Sequence, residues 1–223
     1  MSNVIYTPVI DSDKSIFLYK NNILSPSMLI KVRDFLDNQT YINGYCISGK
    51  EIPRQQLWYQ KEGKYFCDSW KNRYPRWQSI TKYPELFEEL NNEIRNQISD
   101  LLNEHDITYP KINSCLINKY RDGNDSIRAH RDTPLSFGHT PVILGLSLGD
   151  SRLFRVRRLN NPDNFKSLKV SKESSENIDF MLEDNSLFIM AGHSQTYFSH
   201  EIPKMDNKTL RYSLTFREFI HSE

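Results

Sequence analysis

The chain has 223 residues, 26% of them charged, and a net charge of +1. That balance excludes recruitment of a partner by overall charge, so a nucleic-acid surface would have to be a local basic patch. No apolar run approaches the roughly 18 residues of a membrane span, and the first residues lack the basic-then-apolar pattern of a secretory signal.

The chain therefore reads as a soluble, monomeric, intracellular protein of cytoplasm or nucleus, neither secreted nor membrane-bound. Cys46, Cys67 and Cys115 lie far apart and form no Cys-x-x-Cys pair. An odd count at such spacing reads as reduced thiols, not as a disulfide framework or a thiolate zinc site. The length corresponds to one domain, residues 1–223, with room for a sizeable core.

In chain order, residues 16–19 (IFLY) read as a short strand. Ser25-Pro26 opens a helix, with Ser as N-cap, Pro in the first turn, and Met28, Leu29, Val32, Phe35 and Leu36 at helical spacing. Residues 40–60 look extended. Residues 60–80 interleave Tyr65, Phe66, Trp70, Tyr74 and Trp77 with Lys61, Lys64, Lys71, Arg73 and Arg76. Such a mixture suits a surface that stacks bases and neutralises phosphates; a loop folding its aromatics onto the core would look the same. A second helix begins near Pro84, and its apolar stripe (Leu86, Phe87, Leu90, Ile94, Ile98, Leu101) reads as one that covers a sheet.

Beyond this helix the chain is nearly all β. In CLINKY (residues 115–120), Asn118 and Tyr120 share one parity and so aim at one side. A turn at 122–125 is predicted to exploit positive φ at Gly123. His130 and Asp132 then converge on one face if the backbone is extended, giving two corners of a divalent-metal site. Alone, the pair is equally compatible with a surface His beside a surface Asp. Residues 141–149 and 186–192 read as buried strands, 152–159 as an alternating one, and 159–177 as a polar excursion. Two helices and then many short strands predict helices packed on a jelly roll, an α+β fold.

The last strand, RYSLTFR (residues 211–217), sets Tyr212, Leu214 and Phe216 on one face and Arg211, Ser213, Thr215 and Arg217 on the other. A solvent-facing strand would satisfy that alternation. If the polar face instead looks into a barrel mouth, two buried guanidiniums require anions, and a dicarboxylate would serve. Of the remaining histidines, His200 lies on a strand and His193 in a turn at Gly192. His200 is the better third ligand because a rigid element holds it. Two His and one carboxylate form the facial triad of non-haem Fe(II) oxygenases, which leaves open positions for a 2-oxo acid and O2.

The ordered set N-x-Y-x-x-G, I-x-x-H-x-D, S-L-G-x-x-R-x-F, H-x-x-P-K and R-x-S-L-T-F-R resembles the AlkB family of Fe(II)- and 2-oxoglutarate-dependent dioxygenases. The nearest resemblance is to its eukaryotic DNA- and RNA-repair branch, over about residues 50–220. It implies a double-stranded β-helix (catalytic jelly roll about 110–220) with two covering helices and an N-terminal nucleotide-recognition lid (about 53–80). It implies His130, Asp132 and His200 as iron ligands. Asn118, Tyr120, Arg211 and Ser213 would contact 2-oxoglutarate, with Arg211 on the distal carboxylate. Arg217 would lie near Asp132 and the metal-bound end of the co-substrate, as part of the catalytic set. Arg54, Trp58, Tyr65 and Phe66 would meet the substrate, with Tyr65 as stacking platform.

The reaction implied is oxidative demethylation of N-alkylated bases in DNA or RNA, using Fe(II), 2-oxoglutarate and O2. Two positions depart from the family pattern. Thr133 and Pro134 stand where acidic residues usually read the methylated base, and Ser213 replaces an Asn. The first departure motivates an alternative, a metal-bearing nucleic-acid-binding module with little turnover. A second alternative is a hydroxylase or demethylase of a non-nucleic-acid substrate.

Overall fold

The structure is a computed structural model that describes residues 9–10, 14–45, 50–61, 79–80, 82–164, 167–170 and 178–220. Its first half supplies the covering layer and both ends of a large sheet. It runs β1 (Val9–Ile10), β2 (Ser15–Asn21), α1 (Pro26–Asp37), β3 (Ile42–Tyr45), β4 (Glu51–Gln60) and α2 (Glu85–Asn103). The second half alternates between two sheets: β5 (Ser114–Tyr120), β6 (Ile127–His130), the one-turn helix α3 (Pro134–Phe137), β7 (Ile143–Gly149) and β8 (Arg152–Arg158). Next come β9 (Ile178–Leu182), β10 (Ser186–Gly192), the one-turn helix α4 (Ser194–Tyr197), β11 (Phe198–Ile202) and β12 (Arg211–Arg217).

Among the described residues, the large sheet has eight strands in the order β1-β2-β10-β7-β12-β5-β4-β3, and the small one has four, β6-β11-β8-β9. Every pairing between these strands is antiparallel, and an isolated bridge, Tyr59↔Ile80, is parallel. This is the jelly-roll arrangement, two sheets face to face, in which inward-facing residues alternate with those turned to the other side.

The two long helices, α1 and α2, cover the outer face of the large sheet. In α1 the Ser25 hydroxyl accepts from the Met28 N–H, Pro26 sits in the first turn, and Met28, Val32 and Leu36 are buried at a spacing of four. In α2, Glu85 and Glu88 lie in the first turn, where the helix dipole favours acids. Its stripe of Phe87, Leu90, Ile94, Ile98 and Leu101 packs against Ile117, Leu144, Leu214 and Phe216 of the sheet. Phe87 meets Phe35, Tyr59, Tyr83 and Phe216 edge to face. Phe87→Ala would remove the centre of this layer, a change that typically costs about 3–5 kcal/mol.

The alternation of β12 resolves to the inward reading. Tyr212, Leu214 and Phe216 join the helix-side core, while Arg211, Ser213, Thr215 and Arg217 line a cavity between the sheets. A second core, including Phe17, Phe188, Val156 and Phe198, closes the opposite part of that space.

Three local expectations need correction. Gly123 is absent from the residues with positive φ. It is required by close approach, since a Cβ there would lie 1.8 Å from the Met205 carbonyl oxygen. Residues 53–60 belong to β4, paired with β5 from Gln55↔Lys119 to Gln60↔Ser114, and so form sheet and not cover. Trp58 is only 2% exposed. It packs with Phe219 and behind the wall residues Leu116 and Phe137, and is not itself among the residues that line the cavity. The aromatic and basic residues 62–78, Tyr65 and Phe66 among them, lie outside the described residues.

Candidate active site

The cavity between the sheets has a volume of about 720 Å³. Its floor is a set of rungs across three strands of the large sheet. Tyr120, Arg211 and Gly149 form one rung, and Asn118, Ser213 and Ser147 the next. Side chains two apart on a strand face the same way, which is how one short alternating sequence delivers a whole polar surface.

At one end of the cavity His130 and His200 pair directly across β6 and β11, with ring centroids 4.2 Å apart. Asp132 lies two residues beyond the end of β6. The ligand atoms of His130, Asp132 and His200 all fall within 4.8 Å of one another, the one such group among the described residues. His130 Nδ1 donates to the Arg128 carbonyl at 2.8 Å, which leaves Nε2 with a free lone pair. Burial lowers the pKa of His130, although Asp132 and the Arg128 carbonyl pull it back up, and the charges of Arg54 and Arg217 add to the lowering. Burial also holds His200 well below the ordinary value, helped by His130 and Arg217. Both rings are thus held neutral, the form that binds a metal.

Asp132 is fixed by two groups that sequence reasoning treated differently. Arg217 Nε stands 3.1 Å from Asp132 Oδ2, but outside hydrogen-bond geometry, so that oxygen keeps a lone pair for another partner. The second group, Gln195 in α4, was missed: its Oε1 accepts the Asp132 backbone N–H at 2.9 Å. Gln195 Nε2 in turn reaches Met190 Sδ and Ser194 Oγ, both at 3.4 Å. His193, the rejected ligand, caps α4 and lies against Tyr197, apart from the triad.

Toward the other end Arg211 is 1% exposed. Its Nη2 donates to Ser147 Oγ at 2.8 Å, and its guanidinium lies 5.1 Å from the Tyr120 ring. Nε and Nη1 meet no acceptor in hydrogen-bond geometry. Burial pushes its pKa down to about 10, opposed by Tyr120 and aided by Arg152. Arg152, fully buried behind Tyr120, donates to the carbonyls of Asp122, Asp125 and Pro203 and so fastens the loops at this end.

Asn118 Oδ1 accepts from Arg54 Nε and Gln56 Nε2, both at 2.9 Å. Its amide NH2 is left as the donor for a ligand. Arg54 also donates to the Ser126 carbonyl and forms part of the cavity wall.

A family model described as the 2OG-Fe(II) oxygenase superfamily matches residues 17–217. Over 126 residues the chain is 34% identical to alpha-ketoglutarate-dependent dioxygenase alkB homolog 3 of Bos taurus, which is 56% of this chain and 40% of that protein. Over 171 residues it is 27% identical to DNA oxidative demethylase ALKBH2 of Homo sapiens, covering 76% of this chain and 58% of that one. The chain thus matches about half the length of these curated relatives. Among solved structures, OsALKBH1 superposes with a TM-score of 0.59 at 15% identity, over 91% of this chain and 97% of that one. A prolyl hydroxylase from Trichoplax adhaerens gives 0.55 at 12% identity, over 93% and 84% of the two chains. At such identities the likeness is one of fold.

The chain belongs to the 2OG-Fe(II) oxygenase superfamily, and the curated relatives it matches are AlkB homologues. Iron, 2-oxoglutarate and O2 are the cofactors that membership implies. The residues present fit them. Two neutral imidazoles and a carboxylate are the donor set of the Fe(II) facial triad. A buried cation with two unfilled donor nitrogens matches the free carboxylate of a 2-oxo diacid.

Proposed function

We propose that the protein is an Fe(II)- and 2-oxoglutarate-dependent dioxygenase that demethylates N-alkylated bases in DNA or RNA. The observation that carries this reading is the pairing, in one cavity, of a His130-Asp132-His200 ligand set with a buried, half-satisfied Arg211 fork. His130, Asp132 and His200 would hold the iron. Arg211 would take the distal carboxylate of 2-oxoglutarate, with Asn118, Tyr120 and Ser213 along its length. Arg217, beside Asp132, would hold that carboxylate in place and face the metal-bound end of the co-substrate.

When bound, the iron supplies the redox chemistry that couples O2 reduction to two oxidations. Overall, O2 takes four electrons, two from the decarboxylation of 2-oxoglutarate to succinate and CO2 and two from the N-methyl group. That group becomes N–CH2OH, whose C–N bond then breaks. Formaldehyde leaves, and the nitrogen keeps the electron pair and takes a proton.

Arg54 on the cavity wall and residues 61–80 would meet the nucleic acid. Lys50, Arg128 and Lys204 at the cavity margin would neutralise phosphates without reading sequence. We further propose one domain over 1–223, monomeric and intracellular. No helix among the described residues is long and apolar enough to cross a membrane. The test is mass spectrometry of methylated oligonucleotides incubated with enzyme, iron, 2-oxoglutarate and O2. Loss of 14 Da per methylated base (a CH2 removed), with equimolar succinate, is the expected result. Consumption of 2-oxoglutarate unaffected by any oligonucleotide would overturn the reading.

A further inference from the structure

The charge of the cavity narrows the kind of base it accepts. Seven lysines and arginines contribute to the walls, against two carboxylates, Glu51 and Asp132. Glu51 is exposed and lies within the field of Arg121. Asp132 is taken by Arg217 and the metal position. Of the cations, Arg54, Arg211 and Arg217 are buried. The two carboxylates of 2-oxoglutarate would answer Arg211 and the metal, which leaves Arg54 with no carboxylate among the cavity walls of its own, Asp125 acting on it only through its charge.

The wall beyond Asp132 adds no negative charge. Thr133 caps α3, its Oγ1 accepting the Leu135 N–H and its carbonyl the Ser136 and Phe137 N–H groups. Pro134 comes next, and Phe137 closes the wall with the Arg217 guanidinium 4.8 Å from its ring. Among the described residues, the stretch from Thr133 to Phe137 brings no carboxylate to the wall, and Glu51 is the one wall carboxylate outside the metal position. Burying a cation in such surroundings places it among like charges without a partner, which is strongly unfavourable.

A donor is available instead. Arg54 gives Nε to Asn118 and Nη1 to the Ser126 carbonyl, and Nη2 makes no hydrogen bond among the described residues. Thr133 Oγ1, which accepts from Leu135, still has its proton to give. Donors without carboxylates match a base edge that presents carbonyl oxygens.

Resting on the demethylase reading, we infer that the alkylated base taken by this site is electrically neutral and carries a carbonyl beside the alkylated nitrogen. N3-alkylated uracil or thymine and N1-alkylated guanine have that character. N1-alkylated adenine and N3-alkylated cytosine, which are cationic, do not.

The test uses the full chain loaded with Fe(II), 2-oxoglutarate and O2. Four oligonucleotides of one sequence context each carry a single 3-methylthymine, 1-methylguanine, 1-methyladenine or 3-methylcytosine. The neutral pair should give kcat/KM at least about tenfold above the cationic pair. The same order should appear in anaerobic binding with Mn(II) in place of iron, a readout independent of turnover. Equal or reversed preference in both measurements overturns the inference. Thr133→Asp keeps a competent N-cap and adds a carboxylate to the wall, so it should move the ratio roughly tenfold toward the cationic bases. An unmoved ratio in the folded variant also overturns the inference. If none of the four is demethylated while 2-oxoglutarate is consumed, the nucleic-acid reading itself falls.

Discussion

The backbone N–H of Asp132 donates to Gln195 Oε1 at 2.9 Å, joining segments 63 residues apart in the chain. Asp132 lies beyond the last hydrogen-bonded pair of β6, His130↔His200, so this bond does for Asp132 what a strand does for the two histidines. Gln195→Ala should therefore lower metal affinity by about 10–100-fold, the usual effect of removing a partner that orients a ligand. Titration with Fe(II) or Mn(II) under argon measures it. A folded variant that binds metal like the parent would limit Gln195 to packing.

Asp132→Ala removes the only carboxylate of the ligand set and leaves Arg217 without its ion partner. Decarboxylation of 2-oxoglutarate is expected to fall to background. Succinate formation at the parental rate would remove Asp132 from the metal site.

Arg211→Lys keeps the charge and loses the planar fork. One charge-assisted hydrogen bond is worth about 1.5–3 kcal/mol, so the 2-oxoglutarate Kd should rise by roughly 10–100-fold with metal binding intact. Calorimetric titration separates the two, and unchanged co-substrate affinity would show that Arg211 binds something else.

Asp125 supplies a pH signature away from the metal. Burial disfavours its charge, but the Arg121 side chain and backbone N–H, with Arg152, outweigh that and hold its pKa below the ordinary 3.8. The folded state therefore binds fewer protons than the unfolded one near and below that pH. Its contribution is full above 3.8 and is lost as pH falls through the folded value. Arg121 is 45% exposed and Asp125 4% at the side chain, so solvent screening reduces the pair to roughly 1 kcal/mol. Asp125→Asn should lower stability at neutral pH by about that amount and flatten the acid limb of urea-unfolding midpoints against pH.

The fold was legible wherever one face of an element is apolar. Tyr212, Leu214 and Phe216 against Arg211, Ser213 and Thr215 encode a strand and its apolar face, while only the structure shows that the polar face looks into the cavity, and Ser25-Pro26 encodes a helix start. The histidines were legible because strands carry them. Gln195 was not, because α4 is a single turn without periodicity and its bond spans distant chain. Trp58 was placed at the substrate by the resemblance alone, and its strand parity with Arg54 and Gln56 does not contradict that placement. Parity fixes which face a side chain occupies but not how far along that face the cavity extends, and Phe137 and Phe219 arrive over Trp58 from elsewhere. The β9 strand was passed over beside a polar stretch, where IDFML offers little alternation.

Arg211 has a consequence beyond catalysis. A positive charge sits at the centre of the molecule with two donor directions unanswered, so the bare polypeptide is folded around an electrostatic deficit. Its counter-ion would be a diffusible metabolite, whose arrival answers this one buried charge. Ligand at one hundred times its Kd adds about 2.7 kcal/mol to the folded state. The persistence of this protein in solution would then follow the local supply of 2-oxoglutarate, quite apart from how fast it turns over.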